Sequence, residues 1–170
     1  MYPEGTLSKK SMDFESAHLA KAVMADRRIV GLVVFDGEKF LLLHRLLHWK
    51  GWEFPKGHVK DDESVATAMG RELLEETGIP KFELVGKIDE IDHFDSARKQ
   101  RSFVQNFLVR VSSNNKITFE HQSFKNGVKV REHDDFKWCF PAEAVKMLKH
   151  KNMKQSMQKA IKMLGLEMEK

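Results

Sequence analysis

The stretch Gly57–Ile79 reads GHVKDDESVATAMGRELLEETGI, and its second half places three carboxylates and an arginine within six residues. A helix over residues 64–76 is predicted here, in which Glu75 and Glu76 follow Glu72 by three and four positions. Side chains at that spacing lie on one helix face, where like charges repel by roughly 0.2–0.5 kcal/mol per exposed pair. A shared divalent cation explains such a cluster better, and carboxylate oxygens suit Mg²⁺ or Mn²⁺.

The ends of this helix are predicted from the residues that flank it. Acidic residues at 61–63 would face the positive end of the helix dipole, and Gly78 is a typical residue after a last helical turn. Gly70 costs about 1 kcal/mol relative to alanine inside a helix, so we predict that it packs closely against a sheet. The predicted apolar face consists of Ala66, Met69, Gly70 and Leu73.

The same stretch resembles the Nudix box. From Gly57 to Ile79 its pattern is G, five residues, E, seven residues, REL, one residue, EE, one residue, GI, which fills every defining position of the box. The resemblance implies a Mg²⁺-dependent hydrolase that cleaves a pyrophosphate linkage in a nucleoside diphosphate joined to another moiety. It also implies that the box forms a loop, a helix and a loop.

Hydrophobic patterning outside the box predicts an α/β protein with a mixed β-sheet between layers of α-helices, which is the Nudix fold that the resemblance implies. Residues 27–170 are predicted to form a single Nudix hydrolase domain, and residues 1–26 form a polar leader with a candidate amphipathic helix. Pro141 is predicted to begin a helix that ends near His150, and Asn152 is predicted to cap a second one that ends at Gly165. The predicted strands are Arg27–Phe35, Phe40–His44, Phe82–Ile91, Ser102–Val111, Ile117–Phe119 and Asp135–Phe140.

The composition fits one ordinary folded domain, with 41% hydrophobic and 32% charged residues among 170. Apolar runs such as residues 31–35 are too short to cross a bilayer, and the leader lacks the continuous apolar stretch of a secretory signal. We therefore expect a cytoplasmic protein without a membrane partner. A single cysteine, Cys139, excludes an intrachain disulfide and a thiolate cluster for zinc. The formal net charge of +4 favours anionic ligands such as phosphates.

The resemblance assigns metal-binding roles within the box. Glu72, Glu75 and Glu76 are expected to hold the cation, Mg²⁺ with Mn²⁺ as a substitute, and the last two are expected to be direct ligands. Gly57 lets the backbone approach closely, and a loop carbonyl, that of Lys56 or Gly57, is expected to coordinate the same metal.

Two further box residues are expected to support the site. Arg71 always carries a positive charge, so we expect it to orient a carboxylate and to fix the helix to the loop. Glu63 is expected either to pair with Arg71 or to cap the loop.

The general base is left open by the box, because family members use either a box glutamate, here Glu75, or a glutamate on a later loop. Glu132 is the preferred candidate, since the run from Glu132 to Trp138 resembles a pattern in asymmetric diadenosine tetraphosphate hydrolases. Glu120, followed by His121, is the second candidate.

The segment WEFPKGHV at residues 52–59 also resembles the entry to the box in dinucleoside polyphosphate hydrolases, although diphosphoinositol polyphosphate hydrolases have a related entry. Lys56 and His58 are therefore expected to contact a polyphosphate. Lys99 and Arg101, with Arg98, form a basic cluster that is a candidate for outer phosphates. Candidates for stacking with a base are Trp49, Phe94, Phe103 and Phe124.

These features together predict a Mg²⁺-dependent hydrolase of a nucleotide polyphosphate, with asymmetric cleavage of a dinucleoside tetraphosphate as the leading hypothesis. The alternatives are pyrophosphohydrolysis of nucleoside triphosphates, of ADP-ribose or of a 5′-phosphorylated RNA end. A Nudix-fold module that binds a nucleotide without cleaving it is a further alternative, and the intact set of acidic residues argues against it.

Overall fold

The computed structural model describes residues 26–119, 124–125 and 127–168. Within these ranges the chain forms nine strands and three helices. The strands are β1 Arg27–Phe35, β2 Phe40–Arg45, β3 Gly51–Glu53, β4 Lys56–His58, β5 Glu83–Asp95, β6 Gln100–Arg110, β7 Phe124–Lys125, β8 Val128–Lys129 and β9 His133–Cys139. The helices are α1 Val65–Thr77, α2 Pro141–Met147 and α3 Lys151–Met163. The helix predicted in the leader lies outside the described residues.

Seven of these strands form one mixed sheet. Its main order is β3-β2-β1-β6-β5, with β4 also paired to β1 and β9 also paired to β2. β1 and β6 run parallel, from Arg27 opposite Ser102 to Phe35 opposite Arg110. The other pairs in this sheet are antiparallel.

Helices cover both faces of the sheet. Alternate residues of β1 point to opposite sides, so this strand contributes to a buried cluster on each face. Val30, Leu32 and Val34 pack with residues of α1 in one buried cluster. Val33 and Phe35 pack with residues of α2 and α3 in another. The predicted α/β fold, with a mixed sheet between helical layers, is therefore confirmed.

Local sequence signals explain the most accurate boundaries. The β1–β2 hairpin turns at Asp36 and Gly37, and Gly37 has a φ of +105°. The Asp36 carboxylate accepts hydrogen bonds from the backbone amides of Glu38 and Lys39. α1 starts after Ser64, whose side chain accepts from the Thr67 amide at 3.1 Å. It ends at Gly78, which has a φ of +76° and donates its N–H to Leu74 O.

The predicted apolar face of α1 is partly wrong. Ala66 is exposed and Ala68 is buried instead, because the helix turns the carboxylates of Glu72 and Glu76 toward the protein interior. The prediction that Gly70 packs closely against the sheet is also wrong. A Cβ atom at Gly70 would meet only Phe82 Cε1, at an ordinary van der Waals distance of 3.8 Å.

Other predicted boundaries differ from the structure, among them the end of α2, which lies at Met147 and not near His150. Residues 117–119 form no strand, since Ile117 packs into the core and the Thr118 amide donates to Thr77 O at the end of α1. Asn152 does not cap α3. The first residue of this helix is Lys151, and the N-cap residue is His150. No helix among the described residues combines the length and apolar character that a membrane span requires.

Candidate functional site

A cavity of about 290 Å³ lies where α1, β4 and the start of β9 meet. Gly57 of β4 forms part of its wall, and Phe119 lines it as well. Four carboxylates line the cavity, those of Glu72, Glu75, Glu76 and Glu132. The cationic or imidazole side chains that line it are Arg27, Arg45, Lys56, His58, Lys60, Arg71 and His133.

The carboxylates of α1 differ in their exposure. Glu72 and Glu76 are 8% and 9% exposed, whereas the side chain of Glu75 is 46% exposed. Glu76 Oε2 accepts a hydrogen bond of 3.0 Å from the Lys56 amide, which joins α1 to β4. The box thus places two carboxylates inside the cavity wall and one at its rim.

Arg71 joins the box helix to the loop before it. Its Nε and Nη2 donate to the two oxygens of Glu63 at 2.7 and 2.8 Å, and Nη2 also donates to His58 O. Nη1 donates to Glu72 at 2.6 Å and to Glu75 at 3.3 Å. A bidentate arginine–carboxylate pair fixes orientation as well as charge, so Arg71 holds the acidic residues in place.

The electrostatics of the buried carboxylates favour a positive charge in the cavity. Burial raises the pKa of Glu72, despite its hydrogen bond from Arg71. Burial and the negative charges of Glu53 and Glu72 raise the pKa of Glu76 well above its usual range. An ionised Glu76 is therefore costly unless a cation compensates it.

The residues present fit a hard divalent cation. Their donors are carboxylate oxygens, which Mg²⁺ and Mn²⁺ prefer, and a bound cation would offset the cost of ionising Glu76. Among the described residues, Glu76, Glu132 and His133 form a group that could share one ion, because their ligand atoms all lie within 4.8 Å of one another.

Position 57 has no room for a side chain, because the Glu72 carboxylate occupies the adjacent space. A Cβ atom at position 57 would lie 1.8 Å from Glu72 Cδ, which is far inside van der Waals contact. The residue sits in β4 opposite Val30 of β1. The absence of a side chain thus lets the Glu72 carboxylate rest against the strand.

Gly57→Ala is expected to lower turnover by about a hundredfold, because the new methyl group must displace the Glu72 carboxylate. It should also lower the free energy of unfolding by about 1–3 kcal/mol, as overpacking does. Chemical denaturation and steady-state kinetics measure both effects. Gly70→Ala is the matched control and should stabilise the protein by about 1 kcal/mol.

A double-mutant cycle tests the steric explanation. In a Glu72→Ala background the space beside position 57 is free, so Gly57→Ala should cost much less stability there than in the wild type. Equal stability losses in both backgrounds would contradict it.

A third buried carboxylate, that of Glu53 on β3, lies behind the cavity and is fully buried. Its Oε1 accepts from Arg45 Nη1 at 2.8 Å and contacts His133 Nε2 at 2.9 Å. Its Oε2 lies 2.7 Å from Lys56 Nζ. Three groups that line the cavity are thus anchored to one carboxylate.

Burial works to raise the pKa of Glu53, but the hydrogen bond from His133 and the charges of Lys56 and Arg45 outweigh it and lower that pKa to about 2.

The low pKa of Glu53 predicts acid sensitivity. Because the folded-state pKa lies below the ordinary value of 4.5, ionised Glu53 stabilises the fold above that pH, and this contribution is lost as the pH falls toward 2. Glu53→Gln should melt lower than wild type at neutral pH, and the two melting temperatures should converge as the pH falls. Thermal melts across that range measure the gap, and a constant gap would refute the prediction.

A second cavity of about 630 Å³ continues from the first. The lining residues that the two share are Arg27, Ile29, Arg45, Lys56, His58 and Glu132. Arg98 adds a cation, Trp49 adds a half-buried indole, and Glu132 is the single carboxylate among the described residues that line it. Its apolar lining includes Ile29, Phe54, Ile91, Val104 and Met153. The cavity is therefore suited to an anionic ligand with an aromatic group.

Several predicted substrate-binding residues meet at these cavities. Lys56 and His58 line both of them. His58 Nε2 accepts from Arg27 Nε at 2.7 Å, and burial and the charge of Arg27 lower the pKa of His58. Of the stacking candidates, Trp49 lines the second cavity.

Other candidates lie elsewhere. Lys99 and Arg101 line neither of these two cavities, and Arg101 forms a two-fold ion pair with Asp92 on the neighbouring strand. Phe94 is 60% exposed and Phe103 is buried, and neither lines these cavities. The second base candidate, Glu120, and the side chain of Phe124 lie outside the described residues.

The family of this chain is identified by a match that extends over the whole described fold. A model of the NUDIX domain matches residues 25–164, which include the mixed sheet and all three described helices. The chain belongs to the NUDIX domain family. The resemblance drawn from the box is thereby confirmed for the domain as a whole.

Curated relatives of this NUDIX domain include two RNA pyrophosphohydrolases. The protein of Thioalkalivibrio sulfidiphilus is 38% identical over 60 residues, which cover 34% of this chain and 35% of that protein. The protein of a Sulfurovum species is 32% identical over 98 residues, which cover 51% of this chain and 62% of that protein. The matched region is therefore less than two thirds of the length of either relative.

Solved structures share the NUDIX fold. A binary complex of the C. elegans Ap4A hydrolase has a TM-score of 0.67 at 24% identity, covering 82% of this chain and 98% of that one. The E. coli dihydroneopterin triphosphate pyrophosphohydrolase has a TM-score of 0.62 at 19% identity, covering 77% of this chain and 92% of that one. At these identities the likeness concerns the fold.

The sequence assigned no role to several NUDIX site residues, although Glu53 belongs to the run at residues 52–59 that resembles the entry to the box. Glu53 and Arg45 lie outside the box, and their roles depend on strand pairing. Arg27 precedes the box by thirty positions and reaches the site from β1. His133 was part of the run that suggested Glu132, and the adjacency of the two residues was the available signal.

Proposed function

We propose that this protein is a Mg²⁺-dependent hydrolase that cleaves a phosphoanhydride bond in a nucleotide polyphosphate. The observation that carries the proposal is the pair of buried carboxylates, Glu72 and Glu76, in a cavity that continues into a cationic one. The first provides a cation site, and the second provides positive charges for the remaining phosphates. Mn²⁺ would substitute for Mg²⁺.

The residues divide the work as follows. Glu72, Glu75 and Glu76 would hold the cation together with the carbonyl of Lys56 or Gly57, and a bound cation would supply charge neutralisation and water activation. Arg71 and Glu63 would keep the carboxylates oriented. Their ion pair lowers the pKa of Glu63 to about 2, so Glu63 stays ionised at neutral pH.

Glu132 is the proposed general base. Its side chain lines both cavities, and a carboxylate oxygen lies within 4.8 Å of the ligand atom of Glu76. A water activated next to Glu76 would therefore be within reach of a carboxylate that can take its proton. Glu75 at the rim and Glu120 are the competing candidates.

Asymmetric cleavage of a dinucleoside tetraphosphate is the leading substrate hypothesis. A long polyphosphate can span the two cavities, with its charge met by Lys56, His58 and the arginines of the second one. Trp49 is the proposed stacking partner for a base, while Lys99 and Arg101 remain candidates only for phosphates outside the cavities. The fold similarity to the C. elegans Ap4A hydrolase is compatible with this substrate.

A second candidate is pyrophosphohydrolysis of a 5′-phosphorylated RNA end. The observation that favours it is the name shared by the curated relatives from Thioalkalivibrio and Sulfurovum, which are RNA pyrophosphohydrolases. The cationic second cavity suits the first nucleotides of such an end equally well.

A substrate panel with product identification separates these candidates. Purified protein with Mg²⁺ is incubated with dinucleoside polyphosphates, nucleoside triphosphates, ADP-ribose and 5′-triphosphorylated RNA in ¹⁸O-labelled water, and the labelled product identifies the attacked phosphorus. A mononucleotide and a nucleoside triphosphate from the tetraphosphate would support the leading hypothesis. Binding across the panel without turnover would instead support a non-catalytic nucleotide-binding module.

A further inference from the structure

His133 lies between the buried network behind the cavity and the cavity itself. It is 3% exposed, and its Nε2 contacts Oε1 of the fully buried Glu53 at 2.9 Å. The same imidazole lines the cavity that holds Glu72 and Glu76. The same residue therefore contacts the buried carboxylate of Glu53 and lines the cavity.

The contact with Glu53 determines which nitrogen carries a proton. Arg45 Nη1 donates to Glu53 Oε1 at 2.8 Å, and Lys56 Nζ lies 2.7 Å from Oε2, so both oxygens of this carboxylate face cations as hydrogen-bond acceptors. His133 Nε2 must then be the donor. In the neutral ring Nδ1 keeps its lone pair, which is the arrangement of a histidine that binds a metal and is oriented by a carboxylate.

The ring also lies close to the proposed cation site. A nitrogen of His133 and one carboxylate oxygen each of Glu76 and Glu132 lie within 4.8 Å of one another. We propose that His133 supplies a nitrogen ligand to the divalent cation that Glu76 holds, with Glu53 as the positioning residue behind it. This proposal rests on the cation dependence of the proposed function, and it adds an imidazole to a set otherwise composed of oxygen ligands.

An imidazole ligand changes which cation the site prefers. Mg²⁺ takes oxygen ligands almost exclusively, whereas first-row transition metals readily accept imidazole nitrogen. The site should therefore bind Mn²⁺ more tightly than Mg²⁺, and loss of the imidazole should reduce that preference. The cost to Mn²⁺ affinity should be about tenfold or more.

The test uses Mn²⁺ bound to the full-length, metal-free protein, so it is independent of turnover. Electron paramagnetic resonance of free Mn²⁺ gives the affinity, and electron spin-echo envelope modulation detects a directly bound imidazole nitrogen. Wild type should show ¹⁴N modulation, and protein labelled with ¹⁵N-histidine should show the ¹⁵N pattern instead. His133→Gln should lose the histidine signal and bind Mn²⁺ about tenfold or more weakly.

A control within the same cavity identifies the histidine. His58 also lines the cavity, so His58→Gln should retain the ¹⁴N modulation. If the signal disappears in His58→Gln and persists in His133→Gln, the proposal is overturned. If His133→Gln does not fold, the isotope experiment on the wild type still decides whether any histidine binds the ion, and His58→Gln decides between the two histidines that line the cavity among the described residues.

The outcomes separate this inference from the proposed function. Mn²⁺ that binds tightly without any histidine nitrogen signal would overturn the role of His133 and leave the cation-dependent hydrolase intact. If no Mn²⁺ binds and no divalent cation supports turnover, the proposed function fails, and this inference fails with it.

Discussion

Replacing Glu76 with glutamine is expected to lower turnover by about a thousandfold or more and, at the same time, to raise the melting temperature of the metal-free protein. Glutamine keeps the shape of the side chain, and its carbonyl oxygen can still accept the hydrogen bond from the Lys56 amide. It loses the charge that a divalent cation requires. The same loss removes a buried carboxylate whose ionisation is opposed by burial and by Glu53 and Glu72.

The stability effect has a defined pH dependence. The pKa of Glu76 in the folded protein lies well above the ordinary 4.5, so ionisation in the unfolded chain pulls the equilibrium toward unfolding as the pH rises past that value. The advantage of the glutamine variant should therefore be small at acid pH and should grow from about pH 4.5 upward. Chelator-treated samples melted across this range measure it.

Glu83→Gln provides the control for Glu76→Gln. Glu83 is exposed at the start of β5 and lines neither described cavity, so its replacement should leave turnover and melting temperature nearly unchanged. A Glu76→Gln protein that retains wild-type turnover would exclude Glu76 as a metal ligand. A metal-free variant that melts below the wild type at neutral pH would show instead that the carboxylate stabilises the fold.

The parts of the site that the sequence predicted are those that depend on local signals. The acidic residues and the arginine of the box lie on α1 or in the loop before it, and Ser64 and Gly78 mark the ends of that helix. The spacing of Glu72 and Glu76 then places both on one face. The face that turns inward was predicted only in part, because counting apolar side chains favours Ala66, whereas the structure buries Ala68 beside the two carboxylates.

The parts that the sequence did not predict depend on strand pairing. Glu53 is on β3 and His133 is on β9, and both strands pair with β2 from opposite sides. A register shift near Arg45 places that residue opposite His133. Residues eighty positions apart thus meet through a third strand, and no local pattern encodes their contact.

The basic cluster near residue 100 illustrates the same limit. Charge composition predicts affinity for phosphates, but the partner of each side chain depends on the strand beside it. Arg101 is engaged by Asp92 across the β5–β6 pair, whereas Arg98 lines the second cavity. Residues that are close in sequence and share a positive charge therefore have different partners in the fold.

Replacing Glu132 with glutamine is the second substitution with a large expected effect. General-base catalysis contributes about 10²–10⁴ to a rate, so kcat should fall by that factor, while KM should change only slightly. The Glu132 side chain lines the junction of the two cavities, and its backbone carbonyl accepts from the Leu46 amide at 2.8 Å, which fixes the loop. Steady-state kinetics over a range of substrate concentrations measures kcat and KM.

Mn²⁺ affinity decides how Glu132 acts. A base that takes a proton from water should lower kcat without much loss of Mn²⁺ binding, whereas a residue that mainly holds the ion should lower both together. Glu120→Gln and Glu75→Gln are the comparison variants, since each replaces a competing candidate. A kcat loss in Glu120→Gln equal to that expected for Glu132, with Glu132→Gln unaffected, would assign the base to Glu120. If only Glu75→Gln lost kcat while retaining Mn²⁺, the base would be a box residue, and Glu132 would then be limited to shaping the cavity.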